Sequence, residues 1–210
     1  MDRIYLDHAA TTAPDPRVIE AMLPMLTTYW GNPSSIYIEG QEAHRALDSA
    51  RKLIADLLGA APKEIVFTSG GSESNNFAIR GIAELHPGGN IITSTIEHPA
   101  VLEVCRYLES KNYSVTYLPV NSDGLVELPV VQAAIRPDTF LITIMLANNE
   151  IGTLQPVHAI GALCRNAGVP FHCDAVQAAG YLPLHVGELA VDALTLSAHK
   201  LYGPKGVGLL

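Results

Sequence analysis

The sequence predicts an α/β protein with three layers (αβα) around a mainly parallel, seven-stranded sheet. Three observations carry this reading. From about residue 64, short apolar runs of strand length alternate with longer segments whose apolar residues recur at helical spacing. Apolar strands joined through helices are the pattern of a parallel sheet covered on both faces. The composition, 48% hydrophobic and 16% charged over 210 residues, is that of a globular chain able to bury a sizeable core.

Taken in order, the first 60 residues stand apart. They hold helical patterns over 16–29 and 41–58, with Pro24 expected to kink the first because it lacks an N–H to donate. Polar, Pro/Gly-rich segments lie at 7–16 and 31–36. Residues 1–60 therefore read as an arm packing over a larger domain, 61–210. Within that domain strands are expected over 64–68, 90–94, 114–118, 140–146, 169–173, 191–196 and 206–210. Helices are expected over 73–85, 99–110, 128–135 and 157–167, and no internal repeat or low-complexity tract appears.

The bulk properties exclude several classes. A net charge of −8 argues against a nucleic-acid or anionic-membrane partner. No run of about 18 apolar residues exists, so no transmembrane helix is expected. Met1 to Tyr5 show no basic region followed by an apolar stretch, so no signal peptide is expected. Cys105, Cys164 and Cys173 are odd in number and lack CxxC spacing, which suits a reducing cytoplasm and argues against disulfides or a zinc site.

In sheets of this class ligands sit beyond the carboxyl ends of the strands, and polar clusters follow strand after strand here. Thr68-Ser69-Gly70-Gly71-Ser72-Glu73 opens a helix with small residues and free amides, a phosphate cradle or a plain Ser/Gly cap. The spacing is neither GxGxxG nor GxxxxGK[ST], so dinucleotide and P-loop readings fail. His98, before Pro99, either meets a bound ring or caps the next helix. Asn148-Asn149 precede a Gly-closed turn and serve that turn or a ligand's phenolic oxygen. Asp174 closes an apolar strand, where an unpaired carboxylate is costly. It caps a helix or pairs with a pyridinium N–H. Lys200, between Ser197-Ala198-His199 and a Gly/Pro loop, is a solvated loop lysine or an amine that captures an aldehyde. An aldehyde cofactor bearing a phosphate and a pyridine nitrogen would use lysine, Ser/His and Asp together.

Longer segments bear a specific likeness. Tyr5 to Thr12, Gly31 to Ser35, Thr68 to Asn76, Glu97-His98, Asn148 to Pro156, His172 to Gln177 and Ser197 to Gly206 run in one order over the whole chain. On these the chain resembles the cysteine desulfurases (NifS/IscS-like) of the class V aminotransferase family, pyridoxal 5'-phosphate enzymes of fold type I. The resemblance implies that Lys200 carries the cofactor, Asp174 pairs with its pyridine nitrogen, and His98 stacks on the ring and moves protons. It assigns Gln177 and Asn149 to the ring hydroxyl and the substrate side, and Gly71, Ser72, Ser197 and His199 to the phosphate. It implies L-cysteine as substrate, L-alanine and an enzyme persulfide as products, a homodimer, and a sulfur acceptor of iron–sulfur cluster assembly or tRNA thiolation. A related aminotransferase, a selenocysteine lyase or a non-catalytic cofactor-binding fragment are the alternatives. Two departures stand out. Tyr37 follows Asn32-Pro33-Ser34-Ser35 where the family usually continues to a histidine. The family also runs to nearly twice this length, so the C-terminal small domain, the persulfide cysteine and a substrate-carboxylate arginine are expected beyond Leu210. None of the three cysteines lies in a matching motif, and each is expected to be structural.

Overall fold

One sheet runs through the computed structural model, which describes residues 3–210. Its strands are β1 (Phe67–Thr68), β2 (Asn90–Ser94), β3 (Ser114–Leu118), β4 (Thr139–Thr143), β5 (Phe171–Asp174), β6 (Ala193–Ser197) and β7 (Gly208–Leu209). The spatial order is β1-β7-β6-β5-β4-β2-β3. Every pairing from β3 across to β6 is parallel, and β7 runs antiparallel to both β6 and β1. The reversal of β7 follows from its connection. Only a one-turn 3-10 helix, Ala198–Lys200, and a short loop separate it from β6, too little chain for a crossover.

The helices are α1 (Pro16–Thr27), α2 (Ile38–Leu58), α3 (Gly71–Ala83), α4 (Pro99–Glu109), α5 (Leu128–Ala134), α6 (Val157–Ala167) and the single turn α7 (Val186–Leu189). β2 and β4 are buried along their whole length. Successive side chains on a strand point to opposite faces, and the core divides accordingly. Ile91 and Leu141 pack with Ile79 of α3 and Val101 and Val104 of α4. Ile92 and Ile142 pack on the other side with Val131 of α5 and Val157 and Ile160 of α6. Both faces are covered, which gives the expected three layers.

Local differences from the sequence reading have physical causes. Pro62–Glu64 forms a 3-10 turn in which Glu64 Oε2 accepts the Ala61 N–H at 2.7 Å, so β1 starts later than residue 64. The apolar run 140–146 pairs on two sides only as far as Thr143. Beyond it, Ile144 and Leu146 still donate to His172 O and Asp174 O, while Met145 N turns to a side chain. α1 continues through Pro24, and Thr28 and Tyr29 both donate to the Pro24 carbonyl at 2.8 Å. It buries none of its residues, whereas α2 buries Gly40, Ala55 and Leu58. α2 stops at Gly59, whose φ of 67° is the left-handed conformation that glycine adopts without strain. No helix among the described residues is long and apolar enough to cross a membrane.

Candidate functional site

The carboxyl ends of β4, β5 and β6 and the first turns of α3 and α4 open onto one cavity of about 490 Å³. Gly71, Ser72, His98, Asn149, Asp174, Gln177, Ser197, His199 and Lys200 all line it. They arrive from five separate segments. β1 and β2, joined by α3, lie far apart in the sheet, so α3 crosses the sheet face between them and brings its first turn to the strand ends.

Asp174 ends β5 at 6% exposure. Its Oδ2 accepts from Asn75 Nδ2 at 2.7 Å and its Oδ1 from the Val176 N–H at 3.0 Å. Burial pushes its pKa above the usual carboxylate value, and the Asn75 and Val176 bonds pull it back. Asn75, the fifth residue of α3, therefore orients this carboxylate. The Asn75 Oδ1 is itself buried and without a partner. One layer deeper, His172 is fully buried between Thr143 Oγ1, 2.8 Å from Nδ1, and Thr195 Oγ1, 2.9 Å from Nε2. Burial lowers its pKa to about 4, so the ring is neutral.

Lys200 enters the cavity from the other side, at the end of the 3-10 turn after β6. Its Nζ donates to the carbonyls of Ala9 and, at 2.8 Å, Ala10. Partial burial lowers its pKa, against the opposing pull of Asp7 and Asp174. The segment holding it is a strap. Thr12 N and Thr12 Oγ1 both donate to His199 O, Asp15 N donates to Tyr202 O, and Gln177 Nε2 donates to Ala9 O. His199 Nδ1 lies 3.0 Å from Thr11 Oγ1.

Gly71 and Ser72 head α3, and first-turn amides have no intrahelical acceptor. A Cβ on Gly71 would stand 3.0 Å from Val176 Cγ2, so glycine keeps the backbone close to the β5 end. A second cavity of about 490 Å³ shares Gly71, Ser72, Ser197 and His199 with the first and adds Ser69 and Lys205. The helix dipole, the free amides, a serine hydroxyl and a lysine are groups that could hold an anion here, although Glu73 also lines this cavity.

His98 fills the capping role and also borders the cavity. It caps α4, its Nδ1 accepting the Ala100 N–H at 3.1 Å, and its ring lines the cavity. In the neutral ring that bond leaves the proton on Nε2. The adjacent amides divide their labour. Asn148 accepts from the N–H groups of Glu150 and Ile151 and donates to Ile96 O at 2.9 Å, so it builds the turn. Asn149 reaches the cavity and donates to Glu150 Oε1 at 2.8 Å.

Some contributors escape the sequence reading. Asn75 and Glu97 sit within the motifs but have no signal of their own beyond being polar and next to a glycine turn or a histidine. The Ala9 and Ala10 carbonyls come from the segment read as an arm, and backbone acceptors leave no mark in side-chain chemistry. The three thiols are free and buried. Burial raises Cys105 and Cys164 to about 12 and pushes Cys173 well above its ordinary value, so all three are protonated thiols as placed.

The sequence profile of the family described as Aminotransferase class-V matches residues 4–210. The chain is 53% identical over 212 residues to "Cysteine desulfurase IscS" of Tolumonas auensis, covering 99% of this chain and 52% of that protein. It is 52% identical to "Cysteine desulfurase, mitochondrial" of Arthroderma benhamiae, covering 98% of this chain and 42% of the other. The chain thus spans about half the length of the curated relatives it matches. A solved structure titled "SspA in complex with cysteine" superimposes with a TM-score of 0.96 at 47% identity, over 99% of this chain and 60% of that one. A "NIFS-LIKE PROTEIN" does so with a TM-score of 0.96 at 43% identity, over 99% and 58%. The seven-stranded order, the polar strand ends and these likenesses together place the chain in the class V aminotransferase family, as a homologue of the cysteine desulfurases.

Proposed function

We propose that the chain is the cofactor-binding part of a pyridoxal 5'-phosphate-dependent cysteine desulfurase. Such an enzyme takes L-cysteine, releases L-alanine, and passes the sulfur as a persulfide to an acceptor in iron–sulfur cluster assembly or tRNA thiolation. One observation carries the reading: Lys200 and Asp174, predicted from separate motifs, line one cavity together with an anion cradle. The cofactor has three handles, and the donor set fits each. Lys200 would take the aldehyde. Gly71, Ser72, Ser197 and His199 would take the phosphate, and Asp174 the ring nitrogen. When bound, pyridoxal phosphate would supply an electron sink for charge developing at the substrate's α-carbon.

The chain's own residues account for the rest. The lowered pKa of Lys200 increases its neutral fraction, so its Nζ can accept and return a proton. His98 borders the same cavity with its Nδ1 engaged by the Ala100 N–H. Asn75 and the Val176 amide stabilise Asp174 as a carboxylate despite its burial. Asn149 and Gln177 offer amides on the substrate side. The sulfur-accepting cysteine is assigned to the part of the relatives' length that this chain does not span, since its own thiols are buried and protonated. A homodimer belongs to the same proposal.

The test mixes the chain with pyridoxal phosphate and follows the visible absorbance of the amine-bound cofactor. The band is expected in the parent and absent in Lys200→Ala; equal uptake by both would sink the assignment. With L-cysteine and a reductant, no sustained release of alanine and sulfide is expected from this chain alone. Sustained release would refute the placement of the sulfur nucleophile.

A further inference from the structure

Glu97 is a buried titratable group that the proposed chemistry leaves unused. It follows β2, directly before His98, and is 4% exposed. Its Oε1 accepts from Ser94 Oγ at 2.6 Å and from the Met145 N–H at 3.0 Å. The Oε2 is buried with no partner, and none of the ion pairs among the described residues includes Glu97. Two donors on one oxygen, nothing on the other and no cation form a poor setting for a full negative charge. They suit a neutral carboxylic acid, whose carbonyl oxygen accepts twice.

The position matters because of what the bonds join. Ser94 ends β2, and Met145 lies just past β4 at the point where that stretch leaves the ladder. Between them runs the turn that delivers His98 to the cavity. Asn148 adds a second tie to the same turn through Ile96 O. The titratable groups facing Glu97 are Asp174 and Cys173 from β5, Cys105 from α4 and His98 beside it. Burial first, and the Asp174 carboxylate as a further cause, push the Glu97 pKa up to about 8.

We propose that Glu97 is a positioning residue that works in its neutral form, clipping the turn that bears His98 to the end of β4 and leaving Asp174 as the charged carboxylate of the site. It acts through His98 and touches no reacting atom. The inference rests on the functional reading only for the importance of His98; the proton and the clip stand on the geometry of Glu97 itself.

Glu97→Gln is the informative variant, because an amide keeps the accepting oxygen and replaces O–H with N–H. Three readouts are followed on the cofactor-free protein. An infrared carboxylic-acid C=O band at about pH 6 is expected in the parent and missing in E97Q. The His98 ring resonances are expected to be unchanged in E97Q and displaced in Glu97→Ala, with the E97A melting temperature lower by about 4 °C or more. The sign of the pH effect is fixed. A group whose folded pKa is raised from 4.5 to about 8 stabilises fully below the lower value and loses that contribution as pH rises through the higher one. The parent should therefore melt progressively lower relative to E97Q across that interval. An ionised Glu97 at about pH 6, or an E97Q that matches E97A in His98 resonances and melting, would overturn the proposal. No readout needs pyridoxal phosphate, so failure here is distinct from failure of the proposed function.

Discussion

Replacing Asn75 with Ala removes the donor that holds Asp174 Oδ2 at 2.7 Å, in a site where the carboxylate is 6% exposed. A buried hydrogen bond to a charged acceptor contributes about 1.5–3 kcal/mol. The substitution also deletes Asn75 Oδ1, a buried acceptor without a partner, and that relief offsets part of the loss. A net cost of about 2 kcal/mol is expected while Asp174 is ionised. For a chain of this length that lowers Tm by about 4–8 °C. When Asp174 is protonated the lost bond is between neutral groups, and the cost falls to about 1 kcal/mol. The sign follows from the raised pKa of Asp174. Its ionisation disfavours the folded state, and more so once Asn75 is gone, so the penalty grows as pH rises above the ordinary value of 3.8. Calorimetric melting of parent, N75A and the half-buried neighbour variant N76A at about pH 5 and about pH 8 measures this. An N75A penalty that is the same at both pH values, or no larger than that of N76A, would refute the idea that Asn75 steadies a charged Asp174.

Two further outcomes are expected. His172, with its pKa lowered from 6.5 to about 4, contributes stability above its unfolded value that is lost as pH falls through the folded one. His172→Gln should flatten that acid limb in a melting series, and an unchanged limb would move the titration elsewhere. Gly161 of α6 has no room for a methyl group, since a Cβ would sit 2.5 Å from Ala190 O and 2.7 Å from Leu189 O. Gly161→Ala should therefore destabilise by about 1–3 kcal/mol in denaturant titration, and a neutral result would show that α7 yields freely.

The layered architecture was legible because β2 and β4 carry apolar residues at adjacent central positions, Ile91-Ile92 and Leu141-Ile142, so both faces of each strand are apolar, as a sheet covered on both sides requires. The cavity residues were legible because a ligand site at strand ends concentrates polar side chains there, as Asp174 after Phe171-His172-Cys173 and Ser197 after Leu194-Thr195-Leu196 illustrate. What escaped depends on partners rather than on local pattern. The run 140–146 is apolar but for Thr143, yet beyond that residue the Ile144 and Leu146 amides bond only β5 while Glu97 takes the Met145 amide. Hydrophobicity records that a residue is buried, not how many strands flank it. The reversal of β7 is set by a loop too short for a crossover. The carbonyls of Ala9 and Ala10 reach Lys200 across almost the entire chain, a relation that no window along the sequence contains.

That last relation bears on how the pocket comes into being during synthesis. The sheet from β2 to β6 can assemble from segments close in sequence, but the amine of Lys200 gains its surroundings only when the beginning of the chain closes over it. Contacts of such long sequence separation carry the largest loop-closure cost and form late. A ribosome-bound chain could thus hold a nearly finished sheet while its lysine still faces water with an ordinary affinity for protons. On the proposed function, aldehyde capture would begin only after the segment around Ala9 and Ala10 has closed over Lys200.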